Sequence, residues 1–293
     1  MDKIQLKALA KVNLGLDVLR RREDGYHEVK MIMQTINLYD ELEIRKVKQP
    51  GIQVKTNLYY LPTNENNLVY KAAKLLADEF QIPDGICIHL QKKIPVAAGM
   101  AGGSSDGAAV LWGLNQMYGL GLSRRGLMER GVRLGADVPY CVLRGTALAE
   151  GIGEKLRTLP SMPKCYLLIA KPGISVSTRA VYENLHANDL KPEQHPDVDA
   201  MIDALEKKDL GLLSAHMGNV LEEVTIPAHP VIREIKKCMM EAGALGALMS
   251  GSGPTVFGVF ENQTKARKAF RAVKVSRLAK QVYLTVPYNV HRS

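Results

Sequence analysis

Residues 95–107 read P-V-A-A-G-M-A-G-G-S-S-D-G, a glycine-rich run between an alternating apolar segment (Ile86, Ile88, Leu90) and an uncharged stretch of helix length. Glycines let successive backbone N–H groups turn inward onto an anion, and a helix N-terminus adds the positive end of its dipole. Ser104 and Ser105 can donate to phosphate oxygens or hold a Mg2+. The run has no G-K-[ST] of a Walker A loop, and glycines at 99, 102 and 103 miss the G-x-G-x-x-G spacing of a dinucleotide fold. Two readings stay open on these residues alone: a phosphate-holding loop, or a tight strand-to-helix turn capped by Ser or Asp.

Upstream, residues 3–19 alternate like strands, with Val12, Leu14, Leu16 and Val18 on one face and Lys11, Asn13 and Asp17 on the other. Asp24-Gly25 is a turn, 28–47 reads as a further strand pair, and 66–80 reads as a helix capped by Asn66 or Asn67. Downstream, a helix is expected from Ser105 or Asp106 to about Met117. Another follows from a Ser123 cap to about Leu134, with Gly135 as its stop. Gly151, Gly153, Pro160 and Pro163 punctuate a polar connector at 151–163, and the domain boundary is placed there. The second half offers a strand at 165–170, helices near 177–187, 197–217 and 229–242, and apolar strands either side of 250–254. A basic helix at 264–280 and a strand at 281–286 close the chain. Helices and strands interleave, so the class is mixed α and β.

A chain of 293 residues has a prior of about two domains. Its 46% hydrophobic content excludes disorder. The 39 Lys+Arg against 30 Asp+Glu leave a formal +9, which suits nucleic acid, an acidic membrane surface or small anions. Most of that surplus sits on the 264–280 helix, where Ala266, Ala269, Phe270 and Val273 recur at helical spacing and the basic face reads as solvated surface. Cys87, Cys141, Cys165 and Cys238 are far apart without a CxxC pair, so they read as reduced thiols of a cytosolic protein. Asp2 and Lys3 open the chain where a secretory signal would need an apolar region. The uncharged stretches 107–123 and 242–260 are broken by polar residues or glycine turns, unlike the ~20 apolar residues of a spanning helix.

Four further features carry chemistry. Lys11 and Asn13 share a face, and a cation beside an amide could hold a phosphate or steer a hydroxyl; a wet face is the alternative. Tyr26-His27 after Gly25 offers an aromatic plate and a donor/acceptor edge for gripping a base. Asp137, in G-A-D-V-P at 135–139, is a candidate general base or a turn residue. The run Gly251-Ser252-Gly253-Pro254-Thr255 permits close backbone approach to a ligand, or simply joins two strands.

In this order and spacing the motifs resemble the galactokinase–homoserine kinase–mevalonate kinase–phosphomevalonate kinase (GHMP) superfamily. A-K-V-N-L-G-L-D-V-L-R-R-R-E-D-G-Y-H, at 10–27, is most similar to the members that phosphorylate the 2-hydroxyl of 4-diphosphocytidyl-2-C-methyl-D-erythritol in the non-mevalonate isoprenoid route. The resemblance covers essentially the whole chain. It implies an α+β fold of two domains, 1–157 and 158–293. The first would be a ribosomal-protein-S5-domain-2-like ATP-binding domain and the second a ferredoxin-like α/β domain, with the site in the cleft between them. Lys11 and Asp137 match the family's catalytic pair, Asp137 taking the proton while Lys11 stabilises the transferred phosphoryl group and orients Asp137. Pro95, Val96, Ala97, Ala98, Gly99, Met100, Ala101, Gly102, Gly103, Ser104 and Ser105 match the ATP loop, with Mg2+ touching Ser105. Tyr26, His27 and Tyr182 match a clamp on cytosine, with Thr178 nearby. Asn13 matches a residue by the phosphoryl acceptor, and Gly251 and Ser252 belong to the C-terminal glycine motif.

The implied partners are ATP and a cytidine-diphosphate-linked polyol, with no nucleic acid or membrane, for a cytoplasmic monomer or homodimer. Two departures stand out. Ala97, Ala98 and Ala101 sit where many relatives carry glycine; alanine tolerates positive φ poorly, so ordinary backbone angles are expected at all three. Tyr182 replaces a common Phe, which keeps stacking and adds a hydroxyl. The rival expectations are a sibling kinase acting on mevalonate, homoserine or a sugar, a nucleic-acid-binding protein using the basic surplus, and a dinucleotide oxidoreductase. The last lacks the glycine fingerprint.

Overall fold

The computed structural model describes residues 1–290, which form two compact units. One unit holds Met1–Ala10, Leu38–Val96 and Ala101–Leu143; the other holds Lys11–Asn37, Ala97–Met100 and the chain from Arg144 onward. Strands β1 (Lys3–Arg21) and β2 (His27–Val47) contribute residues to both.

In the first unit, β3 (Ile52–Thr56) runs parallel to β4 (Gly85–Gln91), and β4 is antiparallel to residues 41–47 of β2. The strand anticipated at 86–90 forms, with Ile86, Ile88 and Leu90 buried; Cys87 between them is buried too, and exposed residues alternate only from His89 to Gln91. Helices α1 (Leu68–Phe80), α2 (Gly102–Tyr118), α3 (Arg124–Val132) and α4 (Val138–Leu143) complete it, with α2 packed on both α1 and α4. Asn67 caps α1 by accepting from Val69 N–H at 3.0 Å, and Ser123 caps α3 by accepting from Gly126 N–H at 3.1 Å. Gly113 brings α2 close to the sheet, since a Cβ there would stand 2.6 Å from Leu6 Cδ1 and 2.9 Å from Ile44 Cδ1.

In the second unit, residues 29–34 of β2 pair antiparallel with β5 (Thr146–Gly151), and β5 pairs with β6 (Lys155–Thr158). A separate four-stranded antiparallel sheet has the order β10 (Gln281–Thr285), β7 (Tyr166–Lys171), β9 (Val256–Phe260), β8 (Gly246–Met249). Its strands β7 and β9 are almost wholly buried, and α9 (Val231–Glu241) and α10 (Gln263–Ser276) pack on this sheet. Helices α5 (Thr178–Asn184), α6 (Val198–Glu206), α7 (Leu210–His216) and α8 (Glu222–Ala228) lie between β7 and α9 in the chain.

Several local expectations change. Residues 28–47 form one 21-residue strand with the preceding His27, not a pair. The polar connector at 151–163 contains the turn of the β5–β6 hairpin and all of β6, with Gly151 and Gly153 at φ +72° and +108°. The 197–217 helix is two, because Lys208 takes φ +54° and Asp209 then caps α7 by accepting from Leu212 N–H. The basic helix ends at Ser276, with Arg277 at φ +57°. Helix α2 starts at Gly102, ahead of the anticipated Ser105. Helix α4 was hidden by Pro139, which sits in its first turn where a missing N–H costs little. All four cysteines are free thiols. Among the described residues no helix is long and apolar enough to cross a membrane.

Candidate functional site

In the second unit, β1 places Lys11 and Asn13 two residues apart on one face. That face is not wet: Lys11 is 5% exposed and Asn13 0%. Lys11 Nζ donates to Asn13 Oδ1 at 2.7 Å. Asn13 Nδ2 points at Met31 Sδ, 3.2 Å away, and its backbone N–H donates to Ser250 Oγ at 3.4 Å. Ser250 Oγ donates in turn to Gly99 O at 2.9 Å, and Lys11 N–H donates to Met100 O at 3.2 Å. Three segments distant in sequence thus converge on the lysine. Gly99 cannot be another residue here: its φ is +70°, and a Cβ would lie 2.0 Å from Ser250 O. Gly251, at φ +58°, sits against Gly99 and Asn13 Oδ1, 3.4 and 3.6 Å from where its Cβ would be.

The same unit brings the aromatic residues together. The rings of His27 and Tyr182 are 5.2 Å apart and tilted by 46°. His27 Nε2 is buried without a hydrogen-bond partner, an arrangement that asks for a ligand or water. Burial, with the Arg21 charge adding to it, lowers this imidazole from its ordinary value and favours the neutral ring. Tyr26 follows the Gly25 turn (φ +84°) and is 60% exposed. Thr178 Oγ1 and Ser252 Oγ share a hydrogen bond of 2.8 Å. The glycine turn beneath them is held by Asn219, whose Nδ2 donates to Met249 O and Gly251 O at 2.8 Å each, and by Thr225 Oγ1, which donates to Ser252 O at 3.3 Å. Sequence reasoning missed Asn219 and Thr225. They stand outside every motif and act only through contacts between segments. Ser250 opens the S-G-S-G-P run but was not singled out.

The first unit carries Pro95, Val96, the segment 101–105, and Asp137. Ala101 caps α2 with no side-chain hydrogen bond; its carbonyl accepts from Ser105 N–H at 2.8 Å, and it gives no capping partner to the N–H groups of Gly102, Gly103 and Ser104. The expectation for the alanines is overturned at two of three positions: Ala97 has φ +49° and Ala101 φ +53°, while Ala98 keeps an ordinary angle. Each left-handed alanine costs roughly 1–2 kcal/mol, so the loop's path is imposed by its surroundings against local preference. Gly103 is exposed and different in kind, for a Cβ there would touch only Leu68 Cδ1 at 3.5 Å. Ser105 is 3% exposed, and its Oγ donates to Leu9 O at 2.7 Å. Asp137 is half-buried at the head of α4, its carbonyl accepting from Cys141 N–H at 3.1 Å. Among the described residues no cluster of three or more His, Cys, Asp or Glu could hold a metal by itself.

Comparison with known proteins gives a consistent result. The GHMP kinases N terminal domain profile matches residues 67–145, and the GHMP kinases C terminal profile matches 201–278. A 4-diphosphocytidyl-2-C-methyl-D-erythritol kinase of Lachnoclostridium phytofermentans is 58% identical over 285 residues, covering 97% of each chain. One of Lachnospira eligens is 54% identical, covering 97% of this chain and 98% of its own. A crystal structure of 4-(cytidine 5'-diphospho)-2C-methyl-D-erythritol kinase superposes with TM-score 0.84 at 34% identity, covering 98% of this chain and all of the other. Homoserine kinase from Cytophaga hutchinsonii shares the fold, with TM-score 0.80 at 24% identity over 98% of this chain and 94% of its own.

Proposed function

The chain belongs to the 4-diphosphocytidyl-2-C-methyl-D-erythritol kinases of the GHMP superfamily, and from that premise we propose which of its residues do the work. It is an ATP-dependent small-molecule kinase that phosphorylates the 2-hydroxyl of 4-diphosphocytidyl-2-C-methyl-D-erythritol, giving the 2-phosphate and ADP on the way to isoprenoid precursors. Phosphoryl transfer asks a protein mainly for positioning and electrostatics.

Asp137 takes the proton of the acceptor hydroxyl, and Lys11 stabilises charge on the transferred phosphoryl group. The observation that carries this assignment is the burial of Lys11 beside Asn13, both tied by backbone to the glycine segments at 99–100 and 250–254. A lysine placed for solubility is not engulfed in this way. Asn13 steers the acceptor. Residues 95–105 seat the phosphates of ATP, with the open N–H groups of the first turn of α2 as donors. ATP brings Mg2+, which neutralises phosphate charge; Ser105 fits a contact with it, because a hydroxyl that gives its proton to Leu9 O keeps oxygen lone pairs for a cation.

Tyr26, His27 and Tyr182 grip the cytosine, and the unpartnered His27 Nε2 supports that role. Thr178, Gly251 and Ser252 line the substrate beside them. The enzyme acts in the cytoplasm as a monomer or homodimer on two small anionic substrates, without nucleic acid. Residues 1–157 and 158–293 serve as its two domains, a division supported by the two family profiles falling on either side.

An acceptor panel tests the substrate assignment. With coupled detection of ADP, the cytidine-diphosphate substrate should turn over far faster than mevalonate, homoserine or galactose. Equal or better turnover of one of those acceptors would reassign the site.

A further inference from the structure

Three buried ionisable side chains in the first unit have no part in the chemistry above. Lys92, 8% exposed, follows β4; its ammonium pairs with Asp40 and, at 2.7 Å, with Asp106 Oδ2. Both carboxylates are buried, Asp40 at 0% and Asp106 at 2% exposure. The other oxygen of Asp40 accepts the backbone N–H groups of Lys93 at 2.5 Å and Ile94 at 2.8 Å, the last residues before Pro95. Asn57 holds the Lys92 backbone itself, accepting its N–H at 2.8 Å and donating to its carbonyl at 3.1 Å. Asp106 lies one turn into α2; its Oδ2 accepts from Lys92 Nζ, and its Oδ1 is buried with no hydrogen-bond partner among the described residues, so Lys92 fastens this carboxyl group. Gly102, the first residue of α2, lies directly over the ammonium: a Cβ there would stand 3.1 Å from Lys92 Nζ.

Burying such a triad gains little stability, since well-packed apolar residues commonly do as well or better. What it supplies instead is a fixed direction. We propose that Lys92 and Asp106 are positioning residues for the nucleotide: they clamp the end of β4 to the first turn of α2 and so aim the N–H groups of residues 102–104 at the phosphates. The inference rests on the assignment of 95–105 to ATP.

The test uses the full chain, with KM for ATP, KM for the cytidine substrate and Tm measured separately. Asp106→Ala cuts the clamp while Lys92 stays on Asp40. KM for ATP should rise roughly tenfold, the low end for loss of an outer-layer partner, with KM for the cytidine substrate little changed. Asp106→Asn keeps an acceptor oxygen in place and should restore KM for ATP to within about twofold of wild type. If Asp106→Ala yields no folded protein, Asp106→Ser serves in its place with the same expectation. A fall in Tm with unchanged KM for ATP, or equal rises in both KM values, would mean a merely structural cluster and overturn the proposal. Gly103→Ala separates the two levels, because the fold has room for its methyl group. If it leaves KM for ATP untouched, the phosphate seat itself is misassigned and the positioning role falls with it. If Gly103→Ala raises KM for ATP and Asp106→Ala does not, only the positioning role fails.

Discussion

Gly99, in the loop, and Gly103, four residues on in the first turn of α2, are glycines for opposite reasons. At Gly99 the protein itself fills the space: the backbone angle is left-handed and the Ser250 carbonyl occupies the place of a side chain. At Gly103 the protein leaves room, with one leucine methyl at ordinary contact distance and no positive φ. The first glycine is demanded by packing. Among the described residues no contact demands the second, in keeping with the proposed close approach of a ligand there. The same division runs through the rest of the site. Gly251, Ser250 and Asn219 are fixed by what they hold, whereas the open ring of Tyr26 and the nitrogen of His27, which has no hydrogen-bond partner among the described residues, are left available to a ligand or water.

That division can be broken by experiment. The largest effect is expected at Asp137, on the ligand side: Asp137→Asn should lower kcat by roughly 10²–10⁴-fold while leaving ATP affinity and Tm near wild type. Wild-type turnover in that variant would remove Asp137 from the mechanism. On the packing side, Gly99→Ala should cost about 3 kcal/mol of stability, from the left-handed angle and the clash with a backbone carbonyl together. Denaturant unfolding measures it, and a loss below about 0.5 kcal/mol, the scale of a neutral surface change, would show that the contact is not rigid.

Tyr26→Ala comes next, weakening the cytidine substrate by about 1–3 kcal/mol if the ring stacks on the base. An unchanged KM for that substrate would return Tyr26 to the role of a turn residue. The smallest effect concerns a surface group with purely internal partners. Hydrogen bonds from Lys3 and then Arg45 hold the Glu43 carboxyl down from 4.5 to about 2. A depressed carboxylate contributes stability above its unfolded pKa and loses it as pH falls through the folded one. The Tm advantage of wild type over Glu43→Gln should therefore be present at pH 6 and fade between about 4.5 and about 2. A gap that is constant across that range would show that the charge is not involved.

Elements with a local signature were legible from the sequence. The alternation of Ile86, Ile88 and Leu90 marked β4, and Asn67 and Ser123 marked helix starts that the structure places within a residue. The failures share a cause. Ala97 and Ala101 were expected at ordinary angles because alanine prefers them, yet contacts elsewhere in the chain override that preference. Lys11 was open to reading as solvated because strand alternation does not report what covers a face; Ser250, more than two hundred residues away, lies against its partner Asn13. The motifs therefore supplied the candidate residues. Whether Lys11 was buried, and what held Gly251 in place, depended on Asn219, Thr225 and Ser250, which local patterns do not single out.

The hydrogen bonds of Ser250 also bear on the order in which this chain folds. They join it to Asn13 and Gly99 across 237 and 151 residues of sequence. Contacts of such long range pay their loop-closure entropy before they return any stabilisation, and they form late. On that ground the surroundings of Lys11 are expected to assemble after helices such as α1 and α2, whose bonds are local. Recovery of kinase activity should lag the return of helical signal during refolding, and activity is the stricter gauge of a completed fold.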